Sequence, residues 1–84
     1  MEVIVYGRPT CQPCTATCRR FERAGVDVVF YDVAALRPEM VDVLASRVAG
    51  TGLPWVQLHD NRLDGFGEAW AGYRPDRIDA AAAR

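Results

Sequence analysis

The chain contains no lysine: ten arginines supply all of its formal basic charge, against eleven acidic residues and a net charge of −1. That balance excludes a polybasic membrane patch and gives no sign of a nucleic-acid face, so neither kind of partner is expected. No apolar run approaches membrane-spanning length. Met1-Glu2-Val3-Ile4 reads directly as a strand rather than as a secretory leader, so a cytoplasmic location is expected. Histidine is scarce, with one residue, and cysteine is limited to three. Three cysteines without a leader suit a working thiol pair in reducing surroundings better than a disulfide scaffold. Internal repeats, low-complexity stretches and linkers are also missing. Eighty-four residues, half of them hydrophobic, are enough for one small core, so residues 1–84 are expected to form a single domain.

What is present is organised by periodicity. Val3-Ile4-Val5-Tyr6 is a β-branched run ended by Gly7 and predicts a buried strand. Cys14, Cys18 and Phe21 recur at helical spacing, with Arg19, Arg20, Glu22 and Arg23 on the other side. This predicts a helix over Gln12–Ala24, stopped at Gly25. Pro13 is tolerated because it falls in the first turn. Val26–Val33 predicts a second strand. Pro38 opens a second helix with a Val41, Leu44, Val48 stripe, closed by Gly50. Trp55–Leu58 and Arg62–Phe66 predict a hairpin around His59-Asp60-Asn61, and Arg74-Pro75-Asp76 starts a terminal helix. The order is β-α-β-α-β-β-α. A βαβ unit supplies two parallel strands and the hairpin adds two antiparallel ones.

Cys11-Gln12-Pro13-Cys14 stands between the first strand and the first helix. Two thiols separated by two residues can close a small disulfide ring. A helix start favours thiolate through its unpaired N–H groups and dipole. Thiolate is the species that attacks disulfides, so the placement suits thiol–disulfide exchange. A structural or metal-binding pair is the competing reading of CxxC alone. Zinc would need two more ligands, and only Cys18 and the distant His59 remain, so no metal site is expected.

The element order with CxxC after the first strand resembles the α/β thioredoxin fold in its glutaredoxin-sized form, a four-stranded mixed sheet flanked by helices. Leu53-Pro54 before the third strand matches that fold's cis-proline, which lies beside the disulfide and binds extended substrate backbone. A narrower resemblance is carried by Arg8, by Ala16-Thr17, and by Trp70-Ala71-Gly72-Tyr73-Arg74-Pro75-Asp76: the chain is similar to the NrdH-type redoxins. Four departures stand out: proline inside the CxxC, Trp55 after Pro54, a long Gly65–Ala69 link, and cysteine at position 18.

The resemblance implies a dithiol–disulfide oxidoreductase in which Cys11 is the nucleophile and Cys14 the resolving thiol. The redox-active Cys11–Cys14 disulfide serves in place of any bound cofactor. Substrate contacts are implied for Arg8, Thr10, Gln12, Pro13, Leu53, Pro54, Trp70, Gly72 and Tyr73. Thioredoxin reductase is the implied reductant and class Ib ribonucleotide reductase, or another disulfide-bearing protein, the target, with the chain working as a monomer. The Gly-Gly pair and acids that grip glutathione in glutaredoxins are missing. A glutathione-dependent glutaredoxin remains the main alternative, and a non-catalytic binding or cluster-carrying module the second. Several residues keep two readings. Cys18 is a core residue or a third exchanging thiol. Arg8 supports the thiolate or is a solvated loop residue. Trp70, Tyr73 and Phe66 form an apolar docking collar, or the first two pin the last helix. Trp55 is core or surface platform. Arg19, Arg20 and Arg23 read as a solvated helix face, and His59 as a turn residue.

Overall fold

The computed structural model describes residues 2–48, 50, 52–59 and 68–83. They form β1 (Glu2–Gly7), α1 (Gln12–Arg23), β2 (Val28–Asp32), a 3₁₀ turn (Val33–Ala35), α2 (Pro38–Ala45), β3 (Trp55–His59), β4 (Ala69–Ala71) and α3 (Pro75–Ala82). The sheet order is β2-β1-β3-β4, with β1 parallel to β2 and antiparallel to β3, and β3 antiparallel to β4. This is the thioredoxin-like α/β fold, with its mixed four-stranded sheet.

Side-chain alternation along the strands divides the two faces. Val3 and Val5 lie opposite Leu58 and Val56, and Trp70 lies opposite Val56, so these five share one face. They pack against Phe21 of α1 and Ile78 and Ala81 of α3 to form the core. Val3, Val5, Phe21, Val56, Leu58 and Ile78 are all fully buried, each contributing about 1.5–3 kcal/mol of transfer free energy. α1 and α3 are also joined at the surface by Arg20, whose Nε and Nη2 donate to the Asp79 carboxylate at 2.8 and 2.7 Å. α2 covers the opposite face, where Leu44 is its buried residue.

α1 ends as its sequence foretells. The Val26 N–H donates to Phe21 O at 3.0 Å and the Gly25 N–H to Glu22 O at 3.0 Å. Gly25 has φ +80°, the left-handed conformation that this paired closure of a helix requires.

Three boundaries differ from expectation. The second strand spans Val28–Asp32 rather than Val26–Val33, because the Asp32 carboxylate accepts the Ala34 N–H at 2.9 Å and turns Val33 into the 3₁₀ segment. α2 ends at Ala45, well before Gly50. The Ser46 N–H still bonds to Asp42 O at 3.1 Å, its hydroxyl donates to Val43 O at 2.7 Å, and the chain leaves through single turns. Val48 therefore lies beyond the helix. β3 extends to His59 and pairs antiparallel with Ala69–Ala71; the strand expected over Arg62–Phe66 lies outside the described residues. Ala-Trp-Ala puts one large apolar side chain against the core face, and the ladder extends through the Leu58 N–H to Glu68 O at 2.9 Å. His59 accordingly belongs to β3, opposite Glu2, rather than to a turn.

Candidate active site

The site forms where strand ends converge. Gly7 pairs with Asp32, Tyr6 with Trp55, and Trp55 with Ala71. The Arg8–Cys11 loop, the Leu53-Pro54 segment and Gly72-Tyr73 therefore leave or enter the sheet at the same end. The Leu53–Pro54 peptide is cis. The Gly72 N–H donates to Pro54 O at 2.7 Å, tying the end of β4 to the segment before β3. Gly72 has φ +87°, and a Cβ there would meet nothing within 4 Å, so glycine serves the backbone turn rather than the space around it. Leu53 joins no sheet pair and no loop backbone hydrogen bond among the described residues.

Cys11 is the N-cap of α1, in extended conformation at φ −83° and ψ 114°, and its Sγ accepts the Cys14 N–H at 3.3 Å. The unpaired first-turn N–H groups and the positive end of the helix favour negative charge at that sulfur. The Cys11 N–H itself is held by Arg8 O at 3.1 Å, and its carbonyl accepts from the Thr15 N–H at 3.1 Å and the Thr15 hydroxyl at 3.2 Å. Cys11 and Cys14 are joined as a disulfide with Cα atoms 5.2 Å apart. Their environments differ: Cys11 is half-buried, whereas Cys14 is 1% exposed. Only the first sulfur can meet an incoming macromolecule. Pro13 occupies the first turn, and its carbonyl accepts the hydroxyl of fully buried Thr17 at 2.8 Å.

Sequence reasoning missed Gly7 as a site residue. A Cβ there would collide with the Cys14 Sγ, lie 3.0 Å from Cys14 Cβ and come 3.4 Å from Phe30 Cε2. The close approach of β1 to the second thiol thus uses the bare backbone at the strand end. The signal for it was the glycine closing an otherwise β-branched run.

The remaining site residues fall into two groups. Thr10 and Gln12 are exposed beside the disulfide and line one groove with Pro9, Thr15, Ala16 and Arg19. Tyr73 is 38% exposed, its hydroxyl accepting from Arg20 Nη1 at 3.3 Å. Arg8 lies at the same end but its Nε is 3.1 Å from the Asp32 carboxylate, so its charge is already balanced. Trp70 is not part of an exposed collar. Strand parity turns it inward, 2% exposed, with the Arg77 guanidinium 5.7 Å above its ring, which is the helix-pinning role. Phe66 lies outside the described residues. Trp55 is half-buried on the α2 face, lining a small cavity with Leu44 and Val48.

Cys18 is half-buried one turn beyond Cys14 and packs against the core. Burial, followed by the Glu22 carboxylate, pushes its thiol pKa up, the opposite of what an attacking thiol needs. Among the described residues no group of three His, Cys, Asp or Glu side chains is placed to hold a metal ion. No helix among them is long and apolar enough to cross a membrane.

Comparison with known proteins agrees with this geometry. The family model named Glutaredoxin matches residues 3–62. Among solved structures, the NrdH-redoxin of Escherichia coli, a glutaredoxin-like protein with a thioredoxin-like activity profile, superposes with TM-score 0.74. It is 30% identical, and the match covers 95% of this chain and 93% of that one. Glutaredoxin grx-1 of Archaeoglobus fulgidus follows at TM-score 0.66 and 24% identity, over 94% of this chain and 83% of its own. Plasmodium falciparum thioredoxin gives TM-score 0.63 at 11% identity, over 98% and 82%. The last two share the fold. No curated protein matches the chain significantly by sequence. The chain belongs to the glutaredoxin family, as an NrdH-type thiol–disulfide oxidoreductase in which Cys11 and Cys14 form the CxxC disulfide.

Proposed function

We propose that the chain is a protein-disulfide reductant of thioredoxin-like habit, reduced by thioredoxin reductase and delivering electrons to class Ib ribonucleotide reductase in the cytoplasm, as a monomer and with no bound cofactor. The observation that carries this reading is the accessible, helix-capping Cys11 paired with the enclosed Cys14, in a chain 30% identical to a redoxin with a thioredoxin-like activity profile.

The chemistry is a two-step exchange. The Cys11 thiolate attacks one sulfur of the target disulfide, forming a mixed disulfide and expelling the other target sulfur as thiolate, which takes up a proton. Cys14 then loses its proton and attacks the Cys11 sulfur. The second target thiolate leaves, and the Cys11–Cys14 disulfide closes. Two electrons pass from the redoxin dithiol to the target. Thioredoxin reductase, using NADPH, returns them.

An extended target segment would hydrogen-bond the Leu53 backbone in strand-like fashion, with Pro54 beside it, a reading supported by the Leu53 backbone making no loop hydrogen bond among the described residues. Around it, Thr10, Gln12, Pro13 and Tyr73 present the neutral surface a target disulfide would meet. Where a glutathione site would need an open glycine pair followed by carboxylates, this chain has a single glycine, Gly72, followed by Tyr73 and Arg74.

The test is to offer oxidised protein two reducing systems, NADPH with thioredoxin reductase and NADPH with glutathione reductase and glutathione. NADPH consumption is followed for wild type and Cys11→Ser. Turnover with thioredoxin reductase alone, abolished in the variant, is expected. Turnover with glutathione alone would make the chain a glutathione-dependent glutaredoxin instead.

A further inference from the structure

The exposed face of α1 carries two arginines that form no ion pair among the described residues, against one exposed carboxylate, Glu22, so a net positive charge remains on it. Gln12, Ala16, Arg19 and Arg23 are spaced i, i+4, i+7 and i+11, one stripe of a helix, and three of them are exposed with Ala16 half-buried. Four other arginines have their own partners. Arg8 meets Asp32, Arg20 meets Asp79, Arg74 meets Asp76, and Arg77 lies over Trp70. Arg19 and Arg23 have no hydrogen bond or ion pair among the described residues. Two arginines at i, i+4 repel each other mildly in an isolated helix. Arg23 is offset by the helix's negative C-terminal end, but Arg19, in mid-helix, is not. This positive face sits on a molecule whose net charge is −1. Two shallow grooves of about 270 and 230 Å³ follow the stripe, and both are lined by Ala16 and Arg19.

We propose that this stripe is a docking rail for an acidic segment flanking the target disulfide, and that it sets the target's chemistry. The proposal rests on the protein-disulfide reductant reading above. At about 1.5 Å of rise per residue, Arg19 lies roughly 12 Å and Arg23 roughly 18 Å along the axis from Cys11. A target chain bonded to Cys11 and running along α1 in extended form covers about 3.3 Å per residue. Its carboxylates therefore belong about four and about five to six residues from the attacked cysteine. Charge complementarity of this kind raises encounter rates and excludes targets with basic flanks.

The experiment uses pre-reduced protein in single-turnover reactions with three disulfide peptides differing only at those flanking positions, carrying Glu, Gln or Arg. The uncharged small molecule hydroxyethyl disulfide serves as the control for chemistry. At low ionic strength the acidic peptide is expected to react roughly three- to tenfold faster than the neutral one, the reach of two exposed ion pairs, and the basic peptide more slowly than either. The preference should vanish at high ionic strength and in Arg19→Glu/Arg23→Glu, with the rate on hydroxyethyl disulfide unchanged. Arg19→Gln/Arg23→Gln gives a milder version of the same effect should the reversal perturb folding. Equal rates for the three peptides, or a preference that survives both double variants, would overturn the docking proposal while leaving the reductant reading intact. Failure to reduce even hydroxyethyl disulfide would overturn both.

Discussion

Truncating Trp70 separates its burial from any role at the surface. The side chain is 2% exposed, opposite Val56 and packed with the α3 residues Ile78 and Ala81. A tryptophan buries about 150–250 Å² of surface, which at about 25 cal/mol per Å² amounts to about 4–6 kcal/mol. Truncations of buried aromatics to alanine cost about 3–5 kcal/mol in practice. The whole domain holds only about 4–13 kcal/mol at roughly 0.05–0.15 kcal/mol per residue, so Trp70→Ala removes anything from about a quarter of it to all of it. Trp70→Phe is the informative companion. The indole Nε1 is buried without a hydrogen-bond partner among the described residues, so phenylalanine discards an unsatisfied donor while it loses some packing and part of the Arg77 contact. Those terms oppose each other, and the net change should stay within about 1 kcal/mol. The assay is urea unfolding of the oxidised protein by circular dichroism, alongside peptide-disulfide turnover. Trp70→Ala should unfold several kcal/mol more easily, and Trp70→Phe should keep both stability and turnover. A Trp70→Ala variant within about 1 kcal/mol of wild type would refute the core assignment. So would a Trp70→Phe variant of normal stability that turns over protein disulfides poorly.

Two further outcomes follow from the titratable groups. Burial and Glu22 push the Cys18 thiol up, so in the reduced protein near neutral pH iodoacetamide should label Cys11 well before Cys18, and Cys18→Ala should keep turnover within about twofold. Labelling of Cys18 first, read by peptide mass mapping, would contradict this. The Arg20 hydrogen bond holds the Asp79 carboxyl below its ordinary value. A carboxylate depressed in the folded state contributes stability above its unfolded pKa, near 3.9, and loses that contribution as pH falls through the folded value. The Tm difference between wild type and Asp79→Asn should therefore be present at neutral pH and shrink below about pH 4. A difference that grows on acidification would show that the pair acts otherwise.

The parts of the fold carried by local chemistry were legible in the chain. The switch from β-branched runs to the Cys14-Cys18-Phe21 spacing places α1, and Gly25 marks its end because only a left-handed residue completes that closure. CxxC at the head of α1 and Leu53-Pro54 before β3 are short patterns that needed no long-range information. What escaped depended on pairing between distant segments. The pairing of Ala69–Ala71 with β3 is fixed by register against Val56, which no local signal reports. Trp70 turns inward through that same parity. Arg8–Asp32 and Arg20–Asp79 join residues on different elements, so a charge that looks free along the chain is compensated in space. The early end of α2 reflects the Ser46 hydroxyl bonding back to Val43, a competitor that the valine stripe masks.

The proposed division of labour between a half-buried but accessible attacking sulfur and an enclosed resolving one is tested most directly by trapping. Reduced Cys14→Ser protein mixed with a disulfide peptide should accumulate a one-to-one covalent adduct, seen by intact mass and mapped to Cys11. Wild type should turn over without accumulating the adduct, and Cys11→Ser should form none. An adduct mapped to Cys18, or one formed as readily by Cys11→Ser, would contradict the assignment of the two thiols.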